Sequence, residues 1–158
     1  MQLVRLGDRG PVVAEIRSKL AVLGLLPPGE AGDVFDAECD RAVRHFQQTR
    51  ELTVDGVVGE QTYRSLDEAR WRLGDRLLYH HITHPFVGDD VADLQARLLE
   101  LGFDSGRPDG IFGQRTATAL RDFQRNVGLS PDGTFGPTTI RAMEQLRRTV
   151  VGGEPARL

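Results

Sequence analysis

An internal duplication limits the folds that this 158-residue chain can adopt. The segment Val13–Leu25 matches Val91–Phe103 at an offset of 78 residues, and Val34–Leu66 matches Ile111–Met143 at an offset of 77. The identical pairs in the second match include Phe35/Phe112, Ala42/Ala119, Arg44/Arg121, Phe46/Phe123, Gln47/Gln124, Leu52/Leu129, Asp55/Asp132, Gly56/Gly133, Gly59/Gly136, Thr62/Thr139 and Arg64/Arg141. A repeat of about 60 residues is a small domain rather than a solenoid element, so we expect two such domains.

Each repeat contains three segments with helical periodicity, in which apolar residues recur at intervals of three and four and share one face. In the first repeat they are Val13, Ile16, Leu20 and Leu23, then Ala42, Val43 and Phe46, then Tyr63 and Leu66. In the second repeat they are Val91, Leu94, Leu98 and Leu101, then Ala119, Leu120 and Phe123, then Ile140, Met143 and Leu146. Gly24 and Gly102 follow the first helices, where glycine commonly ends a helix. The sequence predicts an all-α fold of two tandem three-helix bundles with Asp-Gly turns.

The segment Ser130–Thr139, SPDGTFGPTT, shows how one of these helices begins. Its Pro-Asp-Gly triplet predicts a turn, because proline presets φ and glycine adopts a conformation that other residues resist. Phe135 is the predicted apolar anchor, Gly136 the N-cap and Pro137 the first helical residue. Thr139 is predicted to hydrogen-bond back toward the cap. Two further segments share this pattern: Val54–Thr62 and Pro108–Thr116.

The repeats divide the chain into four predicted parts: a unit at residues 1–70, a connector at 71–85, a second unit at 86–149 and a linker at 150–158. The third helix is predicted to extend as far as Trp71. A stop is predicted at Gly74, followed by a short extended segment at Leu77–Tyr79. Since a unit of about 60 residues buries little core, we expect the two units to pack on each other or on the connector.

Composition and charge exclude several classes of function. The net charge of −3 lacks the basic surface that is typical of nucleic-acid-binding domains. No apolar run approaches the roughly 20 residues of a membrane span. The first ten residues lack a signal-peptide core, so we expect a cytoplasmic chain if Met1 is its native start, and the cell wall as the alternative. Cys39 is the only cysteine, which excludes an intrachain disulfide and a thiolate metal cluster.

The combined motifs resemble the peptidoglycan-binding domain family. The segments that carry the resemblance are LGDRGPVVAEIRSKLAVLG (Leu6–Gly24), VGDDVADLQARLLELG (Val87–Gly102), DGIFGQRTATALRDFQ (Asp109–Gln124) and LSPDGTFGPTT (Leu129–Thr139). The resemblance implies a three-helix fold that binds peptidoglycan fragments or precursors without catalysis and without a cofactor. Tandem copies of this kind resemble the non-catalytic region of an N-acetylmuramoyl-L-alanine amidase-like protein.

The first repeat departs from the family pattern within Gly32–Cys39, where Asp36 replaces a glycine and Cys39 replaces a threonine. We therefore expect the second repeat to be the better ligand-binding half, through grooves between the helices that are lined by its two Asp-Gly loops. The candidate ligand-binding residues are Asp109, Phe112, Arg115, Thr116, Arg121, Gln124, Asp132, Phe135 and Thr139, with Arg44 and Gln47 in the first repeat.

Metal and nucleophile sites are weaker interpretations of the same residues. The segment Asp104–Arg115 lacks the alternating oxygen ligands and final glutamate of a calcium loop, and no lysine follows the glycines as a phosphate loop requires. His80 and His84 are four residues apart, which suits a zinc site on a helix, but Thr83 and Pro85 disfavour a helix there. The simpler interpretation is that these histidines pack at the surface or between the units. Cys39 at a helix start could be a low-pKa nucleophile or only a small residue in a capping turn.

Other polar and aromatic residues leave two interpretations open. The paired cations Arg44/Arg121, Arg64/Arg141 and Lys19/Arg97 are either solvated or pair with stem-peptide carboxylates, since arginine suits bidentate contacts. Gln47 and Gln124 bond either a loop backbone or a ligand amide. The aromatic residues with polar groups, Tyr63, Trp71 and Tyr79, either stack on sugars or pack between the units.

Three functional hypotheses follow from these patterns. The first is a non-enzymatic peptidoglycan-binding region. The second is a cytoplasmic protein-interaction scaffold that regulates peptidoglycan synthesis, with a synthesis protein as partner. The third is a hydrolase, which is disfavoured because two bundles leave no room for a catalytic domain. No cofactor, metal or nucleic acid is expected.

Overall fold

The computed structural model describes residues 2–28 and 32–151. Within these ranges the secondary structure consists of α-helices and isolated β-bridges. The helices are α1 (Pro11–Val22), α2 (Ala37–Thr49), α3 (Glu60–Ala69), α4 (Asp89–Glu100), α5 (Gln114–Asn126) and α6 (Pro137–Val151). The predicted all-α fold with three helices per repeat is confirmed. Among the described residues, no helix has the length and apolarity to cross a bilayer.

The chain divides into two compact units between Arg70 and Trp71. Unit 1 is Met1–Arg70 and unit 2 is Trp71–Leu158. The largest fully buried side chains of unit 1 are Ile16, Leu20, Phe35 and Leu66. Those of unit 2 are Leu78, Leu94, Leu98, Phe112, Leu120, Phe123, Phe135 and Met143. Each unit therefore has a hydrophobic core of its own, built from the helical faces that the sequence predicts.

The first helices end on left-handed glycines, as the sequence predicts. The C-cap residues are Leu23 and Leu101, and the next residues, Gly24 and Gly102, have φ of 76° and 93°. This conformation lets the backbone N–H groups beyond the cap bond to the last helical carbonyls. The chain then turns back toward the second helix of each unit.

Two short antiparallel bridges close each unit. In unit 1 they join Val4 to Val58 and Arg9 to Val34, and in unit 2 they join Leu78 to Phe135 and Val87 to Ile111. Four residues, 5–8, separate the first two bridge positions of unit 1, whereas eight residues, 79–86, separate those of unit 2. Unit 2 therefore carries a four-residue insertion relative to unit 1. The longer segment, 79–86, contains His80, His81 and His84.

The segment 71–85, predicted as a connector, supplies part of the unit 2 core. Leu78 is fully buried and exchanges two backbone hydrogen bonds with Phe135, with N···O distances of 3.3 and 2.7 Å. It thus occupies the place that Val4 holds in unit 1. The short extended segment predicted at Leu77–Tyr79 is present as this bridge.

An ion pair fastens the same segment to α4. Arg76 forms a bidentate pair with Asp90, with N···O distances of 2.8 and 3.1 Å, and it also donates to the Val87 carbonyl. Its guanidinium lies 4.3 Å from the centroid of the Trp71 ring and 5.1 Å from that of Phe86. The Asp90 side chain is fully buried, so this pair is an internal part of unit 2.

The ends of two helices differ from the prediction. Helix α3 ends at Ala69 rather than at Trp71, because the chain turns where the Arg72 N–H bonds to the Asp75 carboxylate and the Trp71 ring packs on Arg76. Helix α6 continues to Val151, so the first two residues of the predicted linker are helical. Neither of these residues is a helix breaker. The remainder of that predicted linker, 152–158, lies outside the described residues.

Candidate functional site

The Asp-Gly turn before α6 is fastened from inside by Gln124 of α5. Its Nε2 donates to Asp132 Oδ1 at 3.0 Å and to Thr139 Oγ1 at 3.1 Å. Nε2 also lies 3.1 Å from the Thr134 carbonyl, and Oε1 accepts from the Gly133 N–H at 2.9 Å. We call this arrangement a glutamine clamp: a buried glutamine amide that joins an Asp-Gly turn to the threonine of the following helix. The Thr139 hydroxyl bonds mainly to the clamp rather than to the helix cap.

Unit 1 has the same clamp before α3. Gln47 donates to Asp55 Oδ1 at 3.0 Å and to Thr62 Oγ1 at 3.2 Å, and it accepts from the Gly56 N–H at 3.0 Å. Of the two roles open to these glutamines, the geometry supports the bond to a loop. Both amides are 1% exposed and use their donors and acceptor within the protein.

A third clamp, which the sequence comparison missed, lies before α5. Gln95 of α4 donates to Asp109 Oδ1 at 3.0 Å and to Thr116 Oγ1 at 2.9 Å, and it accepts from the Gly110 N–H at 2.9 Å. Its glutamine belongs to the first helix of the unit rather than to the second. The available signal was the pattern of a glutamine, an Asp-Gly turn and a threonine six residues after the glycine.

The fourth loop, in unit 1, replaces the clamp with an arginine and a cysteine. Arg17 stands at the position of Gln95, and Cys39 stands at the position of Thr116. Arg17 Nη1 lies 2.9 Å from Cys39 Sγ and 3.2 Å from the Asp36 carboxylate. Both the glutamine and the threonine of the clamp are thus replaced, and Arg17 holds the loop through its contacts with Cys39 and Asp36.

Burial decides between the two interpretations of Cys39. The side chain is fully buried, and burial raises the pKa of its thiol despite the neighbouring Arg17. Its backbone N–H donates to the N-cap Asp36 at 2.9 Å. These contacts match a small residue in a capping turn, and the interpretation as a low-pKa nucleophile is wrong.

An arginine covers the glycine of the turn before α3 and of the turn before α6. A Cβ atom on Gly133, whose φ is 74°, would lie 3.0 Å from Arg121 Nε, and one on Gly56 would lie 2.9 Å from Arg44 Nε. Arg44 also pairs with Asp40 at 3.0 Å. Unit 2 has an alanine at the position of Asp40, and among the described residues Arg121 has no ion pair. Arg121 is thus a half-exposed cation beside the turn.

The predicted ligand-binding residues fall into two groups. Phe112, Thr116, Gln124, Phe135, Thr139 and Gln47 are buried. Asp109, Arg115, Asp132 and Arg44 are exposed, and Arg121 is half-exposed. The buried group shapes the loops from inside, and the exposed group remains available to a ligand. Ligand contact stays a prediction for both groups.

Backbone hydrogen bonds lower the pKa of two turn carboxylates, Asp55 and Asp109. The pKa of Asp109 is lowered mainly by the Ile111 N–H, and the pKa of Asp55 is lowered mainly by the Val57 N–H. In each case the clamp glutamine adds a smaller effect in the same direction. These carboxylates are therefore fixed acceptors of the turn.

The residues considered for metal binding have other partners. Asp104 accepts from the Gly106 N–H and pairs with Arg115, with distances of 2.9 and 3.0 Å. The His84 N–H donates to His81 Nδ1 at 3.0 Å in a non-helical loop. In residues 2–28 and 32–151, histidine, cysteine and acidic side chains form no group of three or more that could hold a metal.

The three polar aromatic residues have separate surroundings. The Trp71 ring packs on Arg76, and Tyr79 packs edge-on against Phe86 with ring centroids 5.0 Å apart. Tyr63 lines a groove of about 550 Å³ between α1 and α3 of unit 1. The groove is lined by Val12, Glu15, Glu60, Tyr63, Arg64 and Asp67. Sequence reasoning singled out Tyr63 but did not find this groove.

Comparison with known proteins defines the class to which this fold and these loops belong. Residues 9–66 and 87–143 match the family described as "Putative peptidoglycan binding domain". The chain therefore belongs to the peptidoglycan-binding domain family.

Particular relatives include the N-acetylmuramoyl-L-alanine amidase CwlM of Mycobacterium tuberculosis, which is 51% identical over 161 aligned positions, or 96% of this chain and 40% of that protein. A spore cortex-lytic enzyme of Oceanobacillus iheyensis is 56% identical over 43 residues, which are 27% of this chain and 16% of that enzyme. The crystal structure of the SleB N-terminal domain is 35% identical, covers 47% of this chain and 96% of that domain, and has a TM-score of 0.43.

The family match and the amidase match confirm the amidase-associated peptidoglycan-binding region that the repeats indicate. The chain spans less than half the length of the amidase and of the spore enzyme. Both matched segments are binding-domain repeats, which supports the prediction of a non-catalytic region.

Proposed function

We propose that this chain is a non-catalytic region that binds peptidoglycan fragments or precursors. The observation that carries the proposal is the match of both repeats, residues 9–66 and 87–143, to one peptidoglycan-binding family. Hydrolysis, as named for the longer amidase relatives, would then belong to protein segments that this chain does not match.

The exposed residues of the unit 2 loops are the proposed contacts for the stem peptide. Stem peptides carry carboxylates, and arginine is well suited to bind them. Arg121 is half-exposed and lacks the acidic neighbour that Arg44 has in unit 1. Asp109, Asp132 and Arg115 flank the same clamped loops and would set the polarity around the bound carboxylate.

A titration with soluble muropeptides, followed by NMR of the labelled chain, tests this proposal. We expect shifts in the loops at residues 109–116 and 132–139, and weaker binding in Arg121→Gln. Arg44→Gln is the matched control, because Arg44 has the same place in unit 1 but is already paired with Asp40. Unchanged spectra on addition of muropeptides would refute the proposal.

A second function, as a protein-interaction scaffold in peptidoglycan synthesis, is favoured by one feature of unit 2. The four-residue insertion within 79–86 carries Ile82, which is 86% exposed. The Ile82 side chain is therefore open to contact by a protein partner. This function would place the chain in the cytoplasm, whereas binding to mature peptidoglycan would place it at the cell wall.

Cell fractionation and capture with the purified chain distinguish these functions. A scaffold should recover a peptidoglycan-synthesis protein from cytoplasm, and Ile82→Asp should abolish the recovery. A wall-binding chain should instead sediment with insoluble peptidoglycan, with or without that substitution. Sedimentation with the wall and no captured synthesis protein would exclude the scaffold.

A further inference from the structure

We infer that the groove between α1 and α3 of unit 1 binds an uncharged, N-acetylated saccharide, the glycan part of peptidoglycan. This inference rests on the proposed function. It assigns a ligand to unit 1, which departs from the family pattern and was expected to be the weaker ligand-binding half. The groove has a volume of about 550 Å³. Small-molecule sites commonly have volumes of about 300–1,000 Å³ and combine an apolar wall with a few placed polar groups.

The apolar wall of the groove is a fixed aromatic ring. The Tyr63 hydroxyl donates to the Glu15 carboxylate, and the ring packs against the unit 1 core. Lys19 Nζ lies 5.4 Å from the ring centroid and is itself nearly buried. Val12, which is exposed on α1, extends the wall. Because these contacts already fix the ring, a pyranose that stacks on it costs little side-chain entropy.

Three of the six residues that line the groove carry carboxylate acceptors, beside the guanidinium of Arg64. The carboxylates of Glu15, Asp67 and Glu60 are about half-exposed or more, with side-chain exposures of 48%, 50% and 75%. An ionised carboxylate accepts hydrogen bonds and cannot donate them. Ligand donors, such as sugar hydroxyl groups and the N–H of an acetamido group, match these acceptors. A stem-peptide carboxylate is itself an acceptor and does not match them.

The charges of the rim are already balanced by protein cations. Lys19 lies 2.9 Å from Asp67 and 3.7 Å from Glu15. Arg64 lies 3.1 Å from Glu60, and Arg70 lies 3.6 Å from Asp67. Three carboxylates thus face three cations, so an ammonium ligand would gain little net attraction. This balance favours an uncharged donor over a basic peptide.

Unit 2 does not repeat this chemistry. By the repeat offsets, Ile140 stands at the position of Tyr63 and packs against the unit 2 core. Asp90 stands at the position of Val12 and is buried in its pair with Arg76. The aromatic wall is therefore specific to unit 1. The two units would then divide the polymer between them, with the glycan on unit 1 and stem carboxylates on the unit 2 loops.

The test is an NMR titration of the full chain with tri-N-acetylchitotriose, a saccharide without peptide, and separately with a free stem tetrapeptide. We expect the saccharide, and not the tetrapeptide, to shift the amides of Val12, Glu15 and Tyr63. Tyr63→Ala should weaken saccharide binding at least tenfold, and Glu15→Gln should weaken it severalfold. Asp93→Asn, at the position of Glu15 in unit 2, is the matched control and should change nothing.

Chemical-shift mapping on the wild-type chain tests the saccharide site even if Tyr63→Ala disturbs the core against which the ring packs. Saccharide shifts confined to unit 2, no saccharide shifts, or tetrapeptide shifts in the groove would each overturn the inference. Titration of the wild-type chain with soluble muropeptides separates the two proposals. Shifts in the unit 2 loops without shifts in the groove refute only the saccharide site, whereas spectra that do not change at all refute the proposed function itself.

Discussion

At the scale of the residue, a buried glutamine holds the Asp-Gly turn to the helix that follows it. One side-chain amide satisfies a turn N–H, a turn carboxylate and a helix-start hydroxyl at the same time. Glutamine suits this position because it carries both donors and an acceptor at the end of one planar group. One buried amide thus sets the loop shape through its contacts with Asp132, Gly133 and Thr139.

Loss of a clamp glutamine should destabilise its unit strongly. Gln124→Ala removes the acceptor of the buried Gly133 N–H and the donor to the Thr139 hydroxyl, which keeps its own bond to the Thr134 carbonyl, and an unsatisfied buried group costs about 1–3 kcal/mol. We expect a loss of about 3 kcal/mol in the free energy of unfolding, measured by urea denaturation. Gln145→Ala, at an exposed position of α6, is the control and should stay within about 0.5 kcal/mol of wild type. Equal effects of both substitutions would contradict the role of the clamp.

The exchanged pair in unit 1 should behave as a coupled pair. Arg17→Gln alone places a glutamine against Cys39, and Cys39→Thr alone places a threonine against Arg17, so neither single variant has a matched pair. The double substitution restores the pair seen at Gln95 and Thr116. We expect the double variant to be more stable than the sum of the single variants predicts, by about 0.5–3 kcal/mol in a double-mutant cycle. Strict additivity would show that the two replacements are independent.

The turn carboxylates should make stability depend on acidity. Because the folded-state pKa of Asp109 lies below its unfolded value of about 3.9, the ionised carboxylate stabilises the fold above that pH. This contribution is lost as the pH falls through the folded-state pKa. Asp109→Asn should therefore lower the urea midpoint at about pH 6 more than at about pH 2.5. Glu144→Gln, on the exposed face of α6, serves as the control.

At the scale of the element, the helix faces and turns followed from sequence, but the Gln95 clamp did not. The apolar intervals at Val13, Ile16 and Leu20 determine a buried face directly. Gln95 escaped notice because its counterpart in unit 1 is Arg17, so the repeat comparison shows no identity there. The candidate ligand residues Phe112 and Phe135 were chosen from the family pattern, which does not separate residues that shape a loop from residues that face solvent.

The ion pair between the segment before α4 and α4 itself should be essential to unit 2. Arg76→Ala leaves the fully buried carboxylate of Asp90 unpaired, and breaking a buried pair costs about 3–5 kcal/mol. We expect a loss of that size in chemical denaturation of unit 2. Arg72→Ala, at an exposed site four residues earlier, should have little effect. A loss below about 1 kcal/mol for Arg76→Ala would show that water reaches Asp90.

At the scale of the whole molecule, the chain has two separate cores, and the start of the second core was the least predictable feature. The segment 71–85 has no counterpart in the repeat alignment, because the four-residue insertion shifts Leu78 out of register with Val4. The sequence therefore presents this segment as a connector. Its burial depends on the bridge to Phe135, a contact between residues distant in sequence.

Fragments cut at two boundaries test this division. A fragment of residues 71–151 retains Leu78 and Arg76 and should fold cooperatively. A fragment of residues 86–151 loses both and should lack a cooperative transition. Thermal unfolding followed by circular dichroism distinguishes them. Cooperative melting of the shorter fragment at the same temperature would show that the segment is only a tether.

The internal fastening of the Asp-Gly loops has a use in engineering. Their backbone course depends on Gln95 and Gln124, whereas Arg107, Pro108 and Ile111 are exposed at the tip of the Gln95-held loop. A combinatorial library that varies these outward positions while keeping the glutamine, glycine and threonine should retain the scaffold. The unit would then serve as a compact, disulfide-free framework on which new surface specificities are selected.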